Sequence, residues 1–224
     1  MTFSIVARCA DTGMFGVAVS SSSPAVAARC AYARSGVGAV ASQNITDPSL
    51  GPRALDLMAL GASASDAIAI LQESIPHIDY RQVTAVDARG RTAIHSGGNT
   101  LGTWAEARAD NVACGGNLLA DPGVPQAMAD AFLASSGHLG DRLITAMRAA
   151  LSAGGEEGPV HSAGLKLVRD VAWPIADLRV DWTEDCPIET LASVWDVYKP
   201  QLEAYVTRAL NPSDAPTYGV PGDQ

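Results

Sequence analysis

Positive charge is scarce in this sequence. Its 15 lysine and arginine residues stand against 24 aspartates and glutamates, which gives a formal net charge of −9. The lysines are Lys166 and Lys199, so almost all of the positive charge is arginine. Nucleic acids and anionic membrane surfaces bind proteins that present a basic face. We therefore expect neither nucleic acid nor a membrane surface as a partner.

Metal-binding spacings and long apolar runs are also missing. The four cysteines are scattered without a Cys-x-x-Cys pair, and the four histidines lie far apart. This favours buried thiols over disulfides, and it predicts neither a metal site nor a cofactor. No run of residues reaches the length of a membrane span, and no basic segment followed by an apolar one marks a signal peptide. We expect a cytoplasmic protein.

The sequence does contain enough apolar residues for a substantial core. It has 224 residues, of which 47% are hydrophobic and 17% charged. That length and composition predict one globular domain over residues 1–210. Residues 211–224 are rich in proline, glycine and aspartate, and we expect them to form a tail that is loose or packed on a partner subunit. The tail and the alanine-rich surface suggest a homodimer.

The most informative residue is Thr2. Initiator methionines are commonly removed when the next residue is small, and removal of Met1 would leave Thr2 with a free α-amine. A threonine hydroxyl is a weak nucleophile by itself, and an adjacent amine can serve as its base. Because an α-amine titrates at about 7.7–8.0, it can take up a proton and return it near neutral pH. Thr2 would then supply both the nucleophile and the base.

The segment that follows predicts a hairpin carrying Thr2 at one end. A strand from Phe3 to Arg8, a turn near Thr12 and a second strand that ends in four serines would place Thr2 opposite about Ser22. A nucleophile at the chain terminus would then face a group of hydroxyls. Ser21 is expected to orient the amine, and Ser22 is expected to line the substrate site.

Several segments resemble the bacterial domain of unknown function 1028 family. They are TFSIVAR at residues 2–8, GVAVSSSSPAV at 16–26, GVGAVASQN at 36–44, GNLL at 116–119, AMADAF at 127–132 and DLRVD at 177–181. The resemblance implies the N-terminal nucleophile (Ntn) hydrolase fold, an α+β four-layer αββα sandwich of two mainly antiparallel sheets. It also implies hydrolysis of an amide bond, although it names no substrate.

Periodicity in the rest of the chain is consistent with two sheets packed face to face between helices. Apolar runs predict strands at 36–43, 81–87, 91–95, 112–117, 161–168 and 175–180. Helical spacing predicts helices at 52–60, 124–134, 140–152 and 187–210, with Pro200 ending or kinking the last one. A further helix begins at a capping box, Ser63 to Asp66, and ends near Ser74.

Polar residues at strand ends supply the remaining candidate site. Val112 to Asn117 is predicted to end in a glycine turn, where the Gly116 backbone and the Asn117 amide would hold an oxyanion. A tight turn that caps the next helix is the alternative. Gln43 and Asn44 at another strand end, together with His95, are expected to line the pocket. For Gln43 and Asn44 an ordinary loop role remains equally open.

Two other functions remain open at this point. In the first, the chain keeps Met1 and is a non-catalytic module for ligand binding or assembly. In the second, Ser21 or Ser22 is the nucleophile with Met1 retained, and His95 is the base; a Ser21, His95 and Asp181 triad is one such arrangement. The first lysine lies far from the N-terminus, which argues against the proteasome type of peptidase. The leading hypothesis is a small-molecule amidohydrolase that acts on a linear or cyclic amide.

Overall fold

Ten strands and seven α-helices make up the computed structural model, which describes residues 1–222. In chain order the strands are β1 Thr2–Arg8, β2 Phe15–Ser21, β3 Ala31–Arg34, β4 Gly38–Asn44, β5 Arg81–Asp87, β6 Thr92–Ser96, β7 Ala105–Ala109, β8 Val112–Asn117, β9 Ser162–Val168 and β10 Ala176–Val180. The helices are α1 Ala27–Cys30, α2 Leu50–Ala59, α3 Ala64–Ser74, α4 Val124–Ala134, α5 Leu139–Ser152, α6 Pro187–Tyr198 and α7 Leu202–Leu210.

The strands form two antiparallel sheets. The six-stranded sheet has the order β10-β9-β2-β1-β8-β7, and the four-stranded sheet has the order β3-β4-β5-β6. Their side chains alternate between two faces, as a strand requires. In β1, Phe3 and Ile5 pack towards the layer of α4 to α7, whereas Val6 packs towards the second sheet. Helices α2 and α3 cover the outer face of that second sheet. The predicted α+β sandwich with layers αββα is confirmed.

Local signals explain where several elements begin and end. Ser63 Oγ accepts the Asp66 backbone N–H at 3.0 Å and Asp66 Oδ2 accepts the Ser63 N–H at 3.1 Å, which is the predicted capping box at the start of α3. Pro200 lies in a 3₁₀ turn, Lys199–Gln201, which separates α6 from α7. Proline has no backbone N–H and its ring clashes with the preceding helical turn, so this interruption is as predicted.

The structure adds three elements to the predicted map and corrects one feature of it. Residues 24–34 contain the one-turn helix α1 followed by strand β3, and β7 is a strand that the sequence did not reveal. Gly115 and Gly116 lie inside β8 and not in a turn, because β1 pairs with β8 on one side and β7 pairs with it on the other. Both glycines are buried.

The C-terminal segment folds back on α7. Arg208 Nη2 donates to the Pro216 carbonyl oxygen at 2.8 Å, and the Arg208 guanidinium lies 3.7 Å from the centroid of the Tyr218 ring. A cation that lies over the face of an aromatic ring is attracted to that ring. The predicted tail over 211–224 is therefore held against its own helix as far as the structure describes it, and its last two residues lie outside the described part.

None of the helices within residues 1–222 combines the length and the apolar character that crossing a membrane requires.

Candidate active site

Three predicted catalytic residues meet at one end of the six-stranded sheet. β1 begins at Thr2, β2 ends at Ser21 and β8 ends at Asn117. The register pairs Thr2 with Asn117 and Phe3 with Ser20, so Thr2 lies beside Ser21 rather than Ser22. All three side chains are almost completely buried. The antiparallel order of the central strands thus brings together residues that are far apart in the chain.

The hydroxyl groups of Thr2 and Ser21 surround a carbonyl group. Their oxygens lie 3.4 Å apart, and both donate to the carbonyl oxygen of Met1. Ser21 Oγ also accepts the Ser23 backbone N–H at 3.0 Å, which fixes its position. A serine hydroxyl that donates to a carbonyl oxygen, as Ser21 does here, can stabilise negative charge that develops on that oxygen.

A buried carboxyl group lies next to these hydroxyls. Glu156 is 5% exposed, and its Oε2 accepts the backbone N–H of Ser22 at 3.2 Å. Its Oε1 has no hydrogen-bond partner among residues 1–222. Burial raises the pKa of Glu156 from 4.5 to about 7, and the nearby Met1 amino group, the Ser22 N–H and His161 offset part of this effect. Glu156 can therefore exchange a proton near neutral pH.

An imidazole and an indole form the other side of this sheet end. The His161 backbone N–H donates to the Ser21 carbonyl oxygen at 2.8 Å, so His161 directly adjoins β2. Its ring stacks on Trp182 with centroids 4.3 Å apart, and its Nδ1 lies 2.9 Å from the Thr183 carbonyl oxygen. Trp182 is half exposed. This stacked pair gives the site an aromatic surface that faces solvent.

Buried amide side chains connect the two sheets behind the hydroxyls. Gln82 Oε1 accepts from Gln43 Nε2 at 2.8 Å and from Asn117 Nδ2 at 3.2 Å. Gln43 Nε2 also donates to the Gly115 carbonyl oxygen, and Gln82 Nε2 donates to Ser96 Oγ. The buried Gln43 Oε1 and Asn117 Oδ1 have no hydrogen-bond partner in the part of the chain described. Buried polar atoms are usually paired. We therefore expect these two acceptors to be able to receive a further hydrogen-bond donor.

The family model described as "Family of unknown function (DUF1028)" matches residues 2–191. The chain belongs to this family. No curated protein shows significant similarity to it.

A member of the same family has a similar fold. The crystal structure of protein SPO2555 from Silicibacter pomeroyi, also described by the DUF1028 family model, superposes with a TM-score of 0.82 at 28% identity, covering 88% of this chain and 89% of that one. The Anbu protein (ancestral beta-subunit) from Yersinia bercovieri aligns over 91% of this chain and 97% of its own, with 12% identity and a TM-score of 0.38.

In the present chain, some of the predicted pocket residues lie away from Thr2. His95 pairs with Val83 on the outer face of the second sheet, where its Nδ1 lies 2.8 Å from Gln72 Nε2 of α3 and its Nε2 lies 3.1 Å from the Ile78 carbonyl oxygen. The intervening sheet separates it from Thr2. The expectation that His95 lines the pocket or serves as a base for Ser21 is therefore corrected.

Asn44 and Gly116 have mainly structural partners. Asn44 Nδ2 donates to the Tyr80 carbonyl oxygen at 2.6 Å, and its Oδ1 accepts the Leu101 N–H at 3.2 Å, so this amide ties two loops together. Gly116 lies between paired strands, and a Cβ there would come within 2.7 Å of the Leu119 side chain. The exposed glycine turn proposed for an oxyanion site is replaced by continuous sheet.

Sequence reasoning missed three residues of the site. Glu156 lies in the glycine-flanked segment 154–158, for which the sequence predicts no element, and His161 and Gln82 are predicted only as strand residues. A pair of glutamates flanked by glycines and ahead of a strand is a weak signal, because most such residues are solvated. Ser22 and Glu156 are separated by 134 positions, and only the fold joins them. No group of three or more potential metal ligands occurs within residues 1–222.

Proposed function

We propose that this protein is a hydrolase of the Ntn type that cleaves the amide bond of a small molecule, with Thr2 as its nucleophile once Met1 is removed. The observation that carries the proposal is the pair of buried hydroxyls, Thr2 and Ser21, on a carbonyl oxygen at the end of the central strands. The αββα layering and the family membership support it.

The chemistry requires only groups at this sheet end. Thr2 Oγ1 attacks the substrate carbonyl carbon while the Thr2 α-amine takes up the hydroxyl proton. The carbon–nitrogen bond then breaks, and the amine returns the proton to the leaving nitrogen. Water hydrolyses the resulting ester and regenerates Thr2. Ser21 donates to the carbonyl oxygen as negative charge develops, and Asn117 borders the same space.

Both lysines have partners elsewhere, which favours a mechanism without a lysine. Lys166 Nζ donates to the Ala31 carbonyl oxygen and lies 3.3 Å from Asp177, while Lys199 Nζ lies 2.6 Å from Asp141. Among the described residues, the candidate proton carriers near Thr2 are its own amine and Glu156. An α-amine with an ordinary pKa of about 7.7–8.0 is a competent base near neutral pH.

The experiment begins with the intact mass of the untagged protein, which reports whether Met1 is present. Protein without Met1 is then assayed against a panel of linear and cyclic amides by product detection. Thr2→Ala should reduce turnover by about 10³-fold or more, Thr2→Ser should retain much of it, and Thr145→Ala on the exposed face of α5 should leave it unchanged. Full turnover by Thr2→Ala would rule the proposal out.

One observation favours a second candidate function. Met1 fills the space in front of the two hydroxyls, and its carbonyl oxygen accepts from both. If the mature protein keeps Met1, Thr2 has no free amine, and the chain would be a binding or assembly module. Stable retention of Met1 in protein purified from its native cell, together with ligand binding and no turnover, would support this function over hydrolysis.

A further inference from the structure

We infer that the space occupied by Met1 is the acyl subsite and that the substrates are amides of α-amino acids whose α-amino group is free and positively charged. This inference rests on the proposed amide hydrolysis and names the substrate class for it. In this view Met1 occupies the position of the aminoacyl part of the substrate, with its carbonyl at the nucleophile, and the ammonium of a substrate would reach the unpaired oxygen of Glu156.

The carbonyl of Met1 defines one end of the subsite. Its oxygen accepts from Thr2 Oγ1 and Ser21 Oγ. On a scissile carbonyl, Thr2 Oγ1 would meet the carbon and Ser21 Oγ would donate to the oxygen. An acyl group held there has its α-carbon where the Met1 α-carbon lies. Any substituent on that carbon therefore faces the groups that surround Met1.

The carboxyl of Glu156 supplies a counter-charge for an ammonium group. Glu156 is only 5% exposed, and its Oε1 has no hydrogen-bond partner within the described residues. A buried carboxylate oxygen without a partner is unfavourable, and a cation that reaches it relieves that cost. The Met1 amino group and His161 both act to lower the pKa of Glu156, against the larger effect of burial. A substrate ammonium would take the place of the Met1 amino group.

The side chain of Met1 indicates room for an unbranched apolar group. A Cβ at Gly158 would lie 3.6 Å from Met1 Cε and 4.0 Å from its sulfur, so the backbone of this loop borders the thioether at ordinary contact distance. Gly158 follows Glu156 by two positions. The same loop thus approaches the Met1 side chain and carries the buried Glu156 carboxyl.

The test measures binding by calorimetry to protein from which methionine aminopeptidase has removed Met1, as verified by intact mass. The ligands are L-methioninamide, N-acetyl-L-methioninamide and 4-(methylthio)butanamide, which share the side chain and differ at the amino group. We expect L-methioninamide to bind about 10- to 100-fold more tightly than the other two, because a charge-assisted hydrogen bond is lost in them. Glu156→Gln should abolish that preference, and the exposed neighbour Glu157→Gln should retain it.

Equal affinity for the three ligands, no binding of L-methioninamide at millimolar concentration, or an equal effect of Glu157→Gln would overturn the inference. The comparison of ligands on the unmutated protein does not depend on how the variants fold. Ammonia release measured in the same samples tests hydrolysis separately. Selective binding without ammonia would contradict the proposed function and leave the subsite intact, whereas cleavage without selectivity would do the reverse.

Discussion

The raised pKa of Glu156 predicts a specific dependence of stability on pH. In the unfolded chain this carboxyl titrates at its ordinary pKa of 4.5, and burial raises its pKa in the folded protein to about 7. The folded state therefore binds the proton more tightly. Between these two values stability falls as pH rises, because folding must then hold a charged carboxyl in a buried position. The contribution is favourable below pH 4.5 and is lost as pH rises through 7.

The size of this effect follows from the two pKa values. Each pKa unit corresponds to about 1.4 kcal/mol, so moving from pH 5 to pH 8 should cost the folded protein about 2–3 kcal/mol through Glu156 alone. That is a large part of the stability of an ordinary domain, about 5–15 kcal/mol. Glu156→Gln keeps the shape and cannot ionise, so this variant should not suffer the loss.

Urea unfolding followed by tryptophan fluorescence at pH 5, 6, 7 and 8 provides the measurement. The free energy of unfolding of Glu156→Gln, relative to the unmutated protein, should increase by about 2–3 kcal/mol across this range. Glu157→Gln, whose side chain is exposed, should follow the unmutated protein at every pH. His161 is present in all three proteins, so its contribution largely cancels in the differences. A difference that stays constant from pH 5 to pH 8 would refute the reasoning.

Three further predictions concern stability and can be measured by the same urea unfolding at one pH. Ser63→Ala removes the capping box of α3 and should destabilise the protein by about 1 kcal/mol; an unchanged midpoint would contradict this. Gly164→Ala would place a Cβ 2.3 Å from that of Ala27, and overpacking should cost about 1–3 kcal/mol, with a cost near zero as the contrary result. Gln82→Leu leaves amide N–H groups of both neighbouring side chains without their acceptor and should cost about 2–4 kcal/mol; a stabilised variant would show that the network is unfavourable.

The sequence signals succeeded where the relevant forces are local. The capping box at Ser63, the break at Pro200 and the bounds of β5, β8 and α4 all follow from residues within a few positions of one another. The hairpin of β1 and β2 also has a local origin, although its register differs by one residue and places Ser21 beside Thr2. That shift matters, since neighbouring residues of a strand face opposite sides.

The predictions that failed depended on which surfaces come together. His95 lies on a predicted strand, and only the packing of α2 and α3 decides that its face of the second sheet points away from Thr2. Gly116 was predicted to lie in a turn because glycine is common in turns. The neighbouring strand β7, short and weakly apolar, extends the sheet past it.

The N-terminal segment by itself predicted a candidate centre at Thr2 and the serines at the end of β2, because a nucleophile and its base can be supplied by one residue at a chain terminus. The tertiary structure alone decided what surrounds that centre. It joined Glu156 to the Ser22 backbone N–H, and it linked Asn117 of the six-stranded sheet to Gln82 of the four-stranded sheet. The physical reason is that burial and charge pairing depend on neighbours in space, which the packing of the layers supplies and which no local pattern in the chain records.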